Sequence, residues 1–172
     1  MNEIESQKQK IGRIIMTKDS LFFEDFEVGD SFLSPARTIT ETDVVNFAGL
    51  SGDYNSLHVD REYAKDTIFG ERIAHGLLGL TVASGLFTRT DLNRRMSPNL
   101  IALLGIDSWR FLAPLKFGDT IHLEIEIMAK EETKKPDRGI VFFTRKVVNQ
   151  RGEVIQEGST PMLILRNNTD IT

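Results

Sequence analysis

The hydrophobic and polar positions of the chain follow a helical repeat in its first half and a strand repeat in its second half. In the first half, Thr40 and Asp60 each precede a helical segment and have side chains that cap helix N-termini. Gly52 stands where the first of these segments ends, as glycine does after many helices. We therefore expect two short helices, separated by a polar loop.

The longest helical segment runs from about Ile73 to Arg94, and apolar or small residues surround nearly its whole circumference as far as Thr88. A helix that is apolar on all sides lies either in a membrane or in a protein core. The apolar part, residues 73–87, contains polar interruptions and is shorter than the roughly 20 residues that a membrane span needs. The pattern therefore predicts a helix buried at the centre of the fold.

The second half of the chain alternates with the period of β-strands. Between Thr120 and Met128, aliphatic residues occupy one face and polar or charged residues the other. The strands are predicted at residues 31–39, 101–112, 120–128, 139–149 and 153–166, the last two forming a hairpin. With the early helices, this order predicts an α+β fold in which an antiparallel sheet curls around the buried helix. The open edge of such a sheet can pair with a second copy, so we expect a homodimer or a higher homo-oligomer.

Length, charge and cysteine content narrow the classes of function. A chain of 172 residues suits one domain, which we assign to residues 21–168, with residues 1–20 as a flexible N-terminal arm. The net charge of -4 argues against broad binding to nucleic acid or to an anionic membrane. The chain has no cysteine, which excludes thiolate nucleophiles and cysteine-based zinc sites and fits a cytoplasmic protein.

A carboxylate and an imidazole stand close together in the polar loop after the first helix. Asp53 and His58 are five residues apart, a spacing that aims them in different directions on a helix and at opposite faces of a strand. An irregular loop can direct both at one water molecule, which such a pair can activate. The alternative is that both residues only cap helices and form turns, which is the commoner role of such loop residues.

A second group stands where the buried helix is expected to begin, in the stretch Ile73-Ala74-His75-Gly76. The first turn of a helix has unpaired N–H groups and a partial positive charge. Gly76 has no side chain, so its N–H is open to a carbonyl oxygen on which negative charge develops. The alternative role of Gly76 is to let the helix pack closely against its neighbours, and one residue can serve both roles. We expect His75 to support the helix start rather than to act as a third catalytic group.

Together these pieces resemble the signature of MaoC-like dehydratases and (R)-specific enoyl-CoA hydratases. The resemblance extends from about residue 22 to residue 166. The residues that carry it are 47–58 (FAGLSGDYNSLH), Ala64, 72–76 (RIAHG), 83–85 (ASG), 109–111 (WRF), Pro114 and 118–119 (GD). One position departs from the signature, because Ser56 replaces a proline that would fix φ in the loop.

The resemblance implies a hotdog fold, which is an antiparallel sheet wrapped around a long central helix, paired into a dimer. It also implies an enzyme that adds water to a trans-2-enoyl-CoA thioester, or removes it from an (R)-3-hydroxyacyl-CoA, without a metal or redox cofactor. Asp53 and His58 would activate the water and transfer the proton, and the Gly76 N–H would polarise the thioester carbonyl. Asn55 would support the loop, and Ser84 would lie near the imidazole.

Several alternatives stay open at this point. A dehydratase for thioesters of the acidic acyl carrier protein would need a basic surface, which this net acidic chain does not indicate. A thioesterase on the same fold is not expected to contain the Asp-x-Asn-x-x-His loop, and a non-catalytic acyl-CoA-binding subunit would not need both Asp53 and His58. The sequence does not define the acyl group. Nor does it show which basic residues meet CoA, among Arg89, Arg94, Arg95, Arg110 and Lys116.

Overall fold

The computed structural model describes residues 19–167. The predicted N-terminal arm therefore lies outside the described residues, except for Asp19 and Ser20. From Leu21 onward the chain is anchored, because the Leu21 N–H donates to the Arg95 carbonyl and the Asn99 side chain donates to the Leu21 carbonyl. Within the described part of the chain, no helix has the length and apolar character needed to cross a lipid bilayer.

One antiparallel sheet contains all the strands of residues 19–167. The strands are β1 (Ser31–Leu33), β2 (Arg37–Thr38), β3 (Leu100–Leu103), β4 (Asp107–Phe111), β5 (Thr120–Glu132), β6 (Arg138–Asn149) and β7 (Val154–Leu165). The order across the sheet is β1-β5-β6-β7-β3, with β2 also paired to β5 and β4 also paired to β7. The predicted α+β architecture and the β6–β7 hairpin are confirmed.

Residues 19–167 contain five α-helices. They are α1 (Glu41–Ser51), α2 (Ser56–Val59), α3 (Arg61–Lys65), α4 (Gly76–Thr88) and α5 (Asp91–Met96). The expected caps are present, since the Thr40 side chain accepts the N–H of Asp43 and the Asp60 side chain accepts that of Tyr63. Gly52 ends α1 in the left-handed conformation, with φ of 76°.

The alternation along β5 decides which face of the sheet is covered. Ile121, Leu123, Ile125 and Ile127 are at most 1% exposed and lie in one core with the apolar residues of α4. Phe87 of α4 meets Phe143 of β6 edge to face, with ring centroids 6.0 Å apart. The sheet therefore curls over α4, and burial of this aliphatic face is the main stabilising term of the fold.

The long predicted helix was wrong in its length. It ends at Thr88 and not at Arg94, because Thr90 caps a separate helix, α5, by accepting the Asn93 N–H at 3.0 Å. It is also not buried on all sides of the single chain. One stripe of α4 is exposed, and it consists of Leu77, Thr81, Ser84, Gly85 and Thr88.

Two predicted strands are each interrupted. Residues 31–39 form β1 and β2 with Pro35 between them, and proline cannot donate to a strand ladder. Residues 101–112 form β3 and β4, separated at Gly105, and the pairing with β7 shifts register within both strands.

Asp119 ties the turn before β5 to the β6–β7 hairpin. Its side chain is 3% exposed and accepts hydrogen bonds from the Arg151 guanidinium (2.8 Å), the Gln150 side chain and the Lys116 N–H. Burial acts to raise the pKa of Asp119, but the hydrogen bonds and the charge of Arg151 outweigh it and hold the pKa below its usual value. The ionised carboxylate is therefore the form that stabilises the fold.

We predict that Asp119→Asn lowers the free energy of unfolding by about 1.5–3 kcal/mol at neutral pH, the usual contribution of hydrogen bonds to a charged group. Because the folded-state pKa is lowered, this contribution is present above the ordinary carboxylate pKa and is lost as the pH falls through the lowered one. Urea unfolding at several pH values measures it. Asp137→Asn, which removes the surface ion pair with Arg138, is the matched control and should have a much smaller effect. Equal losses in the two variants would contradict the prediction.

Candidate active site

The loop between α1 and α2 is held by a chain of side-chain to backbone hydrogen bonds. The Ser51 hydroxyl donates to the Phe47 carbonyl (2.7 Å) and accepts the Asp53 N–H (3.2 Å). Asp53 Oδ1 accepts the Asn55 N–H (3.2 Å), and Asn55 Oδ1 accepts the Leu57 N–H (3.0 Å) as the cap of α2. This pattern of Asx turns orients the Asp53 carboxylate, which remains exposed on the loop.

Ser56, which departs from the signature, is the first residue of α2. Proline is favoured at the first position of a helix, because the N–H of that residue has no partner within the helix. Asn55 before it has φ of -54° and ψ of 132°, an extended conformation that also suits a following proline. The backbone therefore keeps the shape that a proline would require, and serine adopts it without a change of geometry.

His58 lies on α2, and one of its ring nitrogens is engaged by main chain. Nδ1 lies 2.8 Å from the Ile73 carbonyl oxygen, which can only accept. Nδ1 of the neutral ring must therefore carry the proton, and Nε2 presents a lone pair. This tautomer makes Nε2 the basic atom of His58.

His75, just before α4, is buried against His58. It is 2% exposed, and its Nε2 donates to the backbone carbonyl of Asp53 at 2.9 Å. The His58 and His75 rings lie 3.8 Å apart at their centroids with an angle of 34°, and the Phe47 ring lies 5.0 Å from His75. Nδ1 of His75 has no hydrogen-bond partner among residues 19–167. His75 thus connects the loop that carries Asp53 to the helix that begins at Gly76.

The three side chains converge on one point. One carboxylate oxygen of Asp53 and one ring nitrogen from each of His58 and His75 all lie within 4.8 Å of one another. Two imidazoles and a carboxylate also form a donor set that suits a divalent transition metal. Hydrogen bonds to carbonyl groups already engage one nitrogen of each ring, and the second nitrogen of His75 is buried. The second nitrogen of His58 and the Asp53 carboxylate are therefore the groups available for proton transfer.

The first turn of α4 is held against the sheet at Gly76. Gln156 of β7, which is 1% exposed, donates from Nε2 to the Gly76 carbonyl (3.0 Å), and Trp109 Nε1 donates to Gln156 Oε1 (3.1 Å). The ring of Phe111 lies so close that a Cβ at Gly76 would be 2.8 Å from two of its carbons. The N–H of Gly76 is among the first of the helix, so it has no acceptor within the helix.

A cavity of about 510 Å³ joins His58 to Gly76. Its polar lining comes from those two residues and Gln156, and the rest is largely apolar. The lining residues are His58, Phe69, Ile73, Ala74, Gly76, Leu77, residues 111–115 and Gln156. An apolar cavity with a few convergent polar groups is typical of a small-molecule site. Sequence reasoning missed Gln156, since a polar residue within a strand usually faces solvent.

Two groups of predicted site residues are not brought to the cavity. Ser84 is exposed on α4, two turns beyond Gly76, and no contact with the His58 imidazole is present in the described chain. Arg94 and Arg95 form ion pairs with Asp91, and Lys116 forms one with Glu71. These basic side chains therefore have acidic partners on the surface.

The geometry predicts opposite tautomers for the two stacked histidines. In the neutral form of each ring, His58 should carry its proton on Nδ1 and His75 on Nε2. Long-range proton–nitrogen NMR correlations of protein labelled with ¹⁵N-histidine distinguish the two forms. The chain has three histidines, so His122→Gln assigns the third set of signals. An Nε2-protonated His58 would contradict the assignment of its basic atom.

Comparisons of sequence place the chain among known proteins. A family model described as MaoC like domain matches residues 25–148. Protein MaoC of Klebsiella aerogenes is 42% identical over 117 residues, which are 68% of this chain but only 33% of that protein. The (R)-specific enoyl-CoA hydratase of Rhodospirillum rubrum is 36% identical over 152 residues, covering 87% of this chain and 97% of that protein.

Comparisons of structure agree with this placement. The MaoC-like dehydratase from Rhodospirillum rubrum has a TM-score of 0.77 at 30% identity, covering 86% of this chain and 99% of that one. Protein RV0216 of Mycobacterium tuberculosis, described as a double hotdog fold, has a TM-score of 0.74 over 88% of this chain and 46% of that one; at 18% identity it supports the fold alone. The chain therefore belongs to the family of the MaoC-like domain and has the hotdog fold.

Proposed function

We propose that this protein is a hydratase that adds water to trans-2-enoyl-CoA thioesters, or removes it from (R)-3-hydroxyacyl-CoA in the reverse direction. The observation that carries the proposal is that His58, whose basic ring atom is Nε2, and Gly76 in the first turn of α4 line one largely apolar cavity, with the Asp53 carboxylate close to the His58 ring. The relative named (R)-specific enoyl-CoA hydratase matches 87% of this chain over 97% of its own length, which supports the same reaction.

The reaction requires an electrophilic C3 and a water molecule with a base. The Gly76 N–H donates a hydrogen bond to the thioester oxygen, and the positive end of the helix stabilises the negative charge that develops on it. Asp53 and His58 hold the water, and the lone pair on His58 Nε2 removes its proton as the oxygen bonds to C3. The electrons of the C2–C3 double bond pass toward the carbonyl. C2 then receives from the Asp53–His58 pair the proton that was taken from the water, so the pair returns to its starting state.

The remaining predicted residues have supporting roles in this proposal. Asn55 caps α2 and thereby fixes the position of His58. His75 links the Asp53 carbonyl to the helix start and packs on the His58 ring. Ser84 is exposed on the surface of the single chain. It can therefore lie next to an imidazole only if that imidazole belongs to another molecule.

Two alternatives differ in their substrate or in turnover. A dehydratase for acyl-carrier-protein thioesters would act on the same acyl group, but the net charge of -4 disfavours an acidic carrier protein. A non-catalytic acyl-CoA-binding subunit would bind acyl-CoA without changing it. We favour the CoA thioester, and activity assays with the two carriers separate all three possibilities.

We predict that Asp53→Asn and His58→Gln each lower kcat for hydration of a short trans-2-enoyl-CoA by at least about 100-fold, within the usual contribution of general acid–base catalysis. Loss of the absorbance of the conjugated thioester measures the rate. Addition of EDTA should leave the wild-type rate unchanged, because we propose no metal in the reaction.

The matched controls are Asp66→Asn and His122→Gln, which change the same residue types away from the cavity and should keep wild-type rates. Circular dichroism and thermal unfolding verify that each variant is folded. Wild-type rates in both site variants would disprove the assignment of the pair, and absence of turnover in the wild type with either carrier would disprove the enzyme itself.

We also infer that the protein forms a homodimer through the edge of the sheet formed by β3 and β4. Both strands pair with β7 on one side only within residues 19–167. Large apolar residues on and beside this edge are 40–54% exposed, namely Ile101, Leu103, Leu104, Ile106, Phe111 and Leu112. An unpaired apolar edge of this kind is covered in most proteins.

Sedimentation velocity should therefore give twice the chain mass, and Leu103→Glu should shift the protein toward the monomer by placing a charge in the interface. Val28→Glu is the matched control, because Val28 is 62% exposed and lies before β1 at the other side of the sheet. A wild-type monomer, or an equal effect of both variants, would contradict this interface.

A further inference from the structure

A buried amide links the sheet to the first turn of the central helix. Gln156 of β7 is 1% exposed, and its side chain ends between Trp109 of β4 and Gly76 of α4. Trp109 Nε1 donates to Gln156 Oε1 at 3.1 Å, and Gln156 Nε2 donates to the Gly76 carbonyl at 3.0 Å. The mechanism proposed above gives Gln156 no role.

The two partners fix the orientation of this amide. The indole N–H of Trp109 can only donate, and the carbonyl of Gly76 can only accept. The oxygen of Gln156 must therefore face Trp109, and its NH₂ group must face the helix. Among side chains of similar length, an ionised glutamate has no donor and methionine has only a weak acceptor. Glutamine is therefore the side chain of this length that serves both partners.

Two glycines leave the space that these hydrogen bonds require. A Cβ at Gly79 would overlap Gln156 Nε2, so a side chain there would push the amide away from Gly76, one turn earlier. A Cβ at Gly158 would lie 2.6 Å from a ring carbon of Trp109. The helix and the sheet are therefore both shaped around the Trp109–Gln156–Gly76 contact.

The hydrogen bond from Gln156 acts on the part of the helix that the reaction uses. The Gly76 carbonyl belongs to the same peptide unit as the Leu77 N–H, and both residues line the cavity. Neither the Gly76 N–H nor the Leu77 N–H has a backbone acceptor within residues 19–167. A hydrogen bond to a peptide carbonyl polarises the peptide, which makes its N–H a stronger donor. Gln156 thus fixes and strengthens donors that point away from the helix start.

We propose that Gln156 is a positioning residue of the hydration reaction, which holds the first turn of α4 so that the N–H groups of Gly76 and Leu77 meet the thioester oxygen. Such donors are most effective when they are fixed before the negative charge develops. Displacement of a catalytic group by about 1 Å can lower a rate by about 100-fold. This inference rests on the proposed function, because it uses the thioester position at Gly76.

The kinetic test is Gln156→Met, which keeps the length of the side chain and removes the amide. We expect kcat for hydration of trans-2-butenoyl-CoA to fall by about 10- to 100-fold, with a change in KM of less than about 3-fold. The reason is that the donors stabilise a charge that develops only in the transition state. Wild-type kcat in folded Gln156→Met would overturn the proposal.

Gln150→Met is the matched control for a merely structural effect. Gln150 also makes two hydrogen bonds, with the Thr120 N–H and the Asp119 side chain, but it does not line the cavity. The control variant should have a lower melting temperature and a wild-type kcat. An equal loss of kcat in Gln150→Met and Gln156→Met would contradict a specific role for Gln156.

Trp109→Phe tests the same contact without a change at Gln156, so it also serves if Gln156→Met does not fold. It keeps an aromatic ring and removes the N–H that orients the amide. It should lower kcat by a smaller factor than Gln156→Met. In the double variant it should cause no further loss, because Trp109 acts through Gln156. Wild-type kcat in Trp109→Phe, or additive losses in the double variant, would overturn the proposal.

Infrared difference spectra of bound butyryl-CoA, labelled with ¹³C at its carbonyl, separate this inference from the proposed function. This saturated thioester cannot be hydrated, so it reports on the carbonyl even if the protein turns over no enoyl-CoA. Wild-type protein should move the carbonyl band to lower wavenumber, because N–H donors weaken the C=O bond. Gln156→Met should reverse most of this shift, and Gln150→Met should retain it. Equal band positions in wild type and Gln156→Met, both saturated with ligand, would overturn the role of Gln156 whatever the rates.

Discussion

The site depends on how the short main-chain segment before α4 is held between the loop and the sheet. The Ala74 N–H donates to the Leu115 carbonyl (2.8 Å), and the Ile73 carbonyl accepts His58 Nδ1. Gln156 then holds the Gly76 carbonyl from the sheet side. These polar groups lie in a largely apolar environment, where an unmade hydrogen bond is expensive. The same bonds that satisfy them fix the helix start, the imidazole and the cavity wall relative to one another.

That constraint explains why the two histidines differ although they stack. Each ring donates to a carbonyl, but His58 does so through Nδ1 and His75 through Nε2. His58 is left with a basic nitrogen on the cavity, whereas the other nitrogen of His75 is buried. In each ring, the carbonyl oxygen that accepts the hydrogen bond therefore determines which nitrogen carries the proton. As a result, His58 is suited to proton transfer and His75 to holding the loop.

Much of the fold was predictable from sequence because its signals are local. Thr40, Asp60 and Gly52 determine where α1 and α3 begin or end, and the alternation along β5 identifies its buried face. The prediction made α4 too long because it continued the helix to Arg94, although the apolar character stops at Thr88 and Thr90 caps a separate helix. The buried position of Arg145 on β6 was also missed, because a charged residue in an alternating strand is normally assigned to the solvent face, and the register with Gly158 places it inside.

By itself, the sequence determined the α+β class, the presence of a central helix after Ile73 and the Asp53–His58 loop with its spacing. These features depend on helix caps, on the repeat of apolar positions and on turn residues. Each of these signals spans only a few residues, so it can be recognised in the sequence. Only the tertiary structure decided that His58 meets Ile73, that Gln156 braces Gly76 and that Ser84 lies apart from the imidazole. Those contacts and separations concern residues far apart in sequence. They result from the packing of α4 in the curved sheet, which no local pattern encodes.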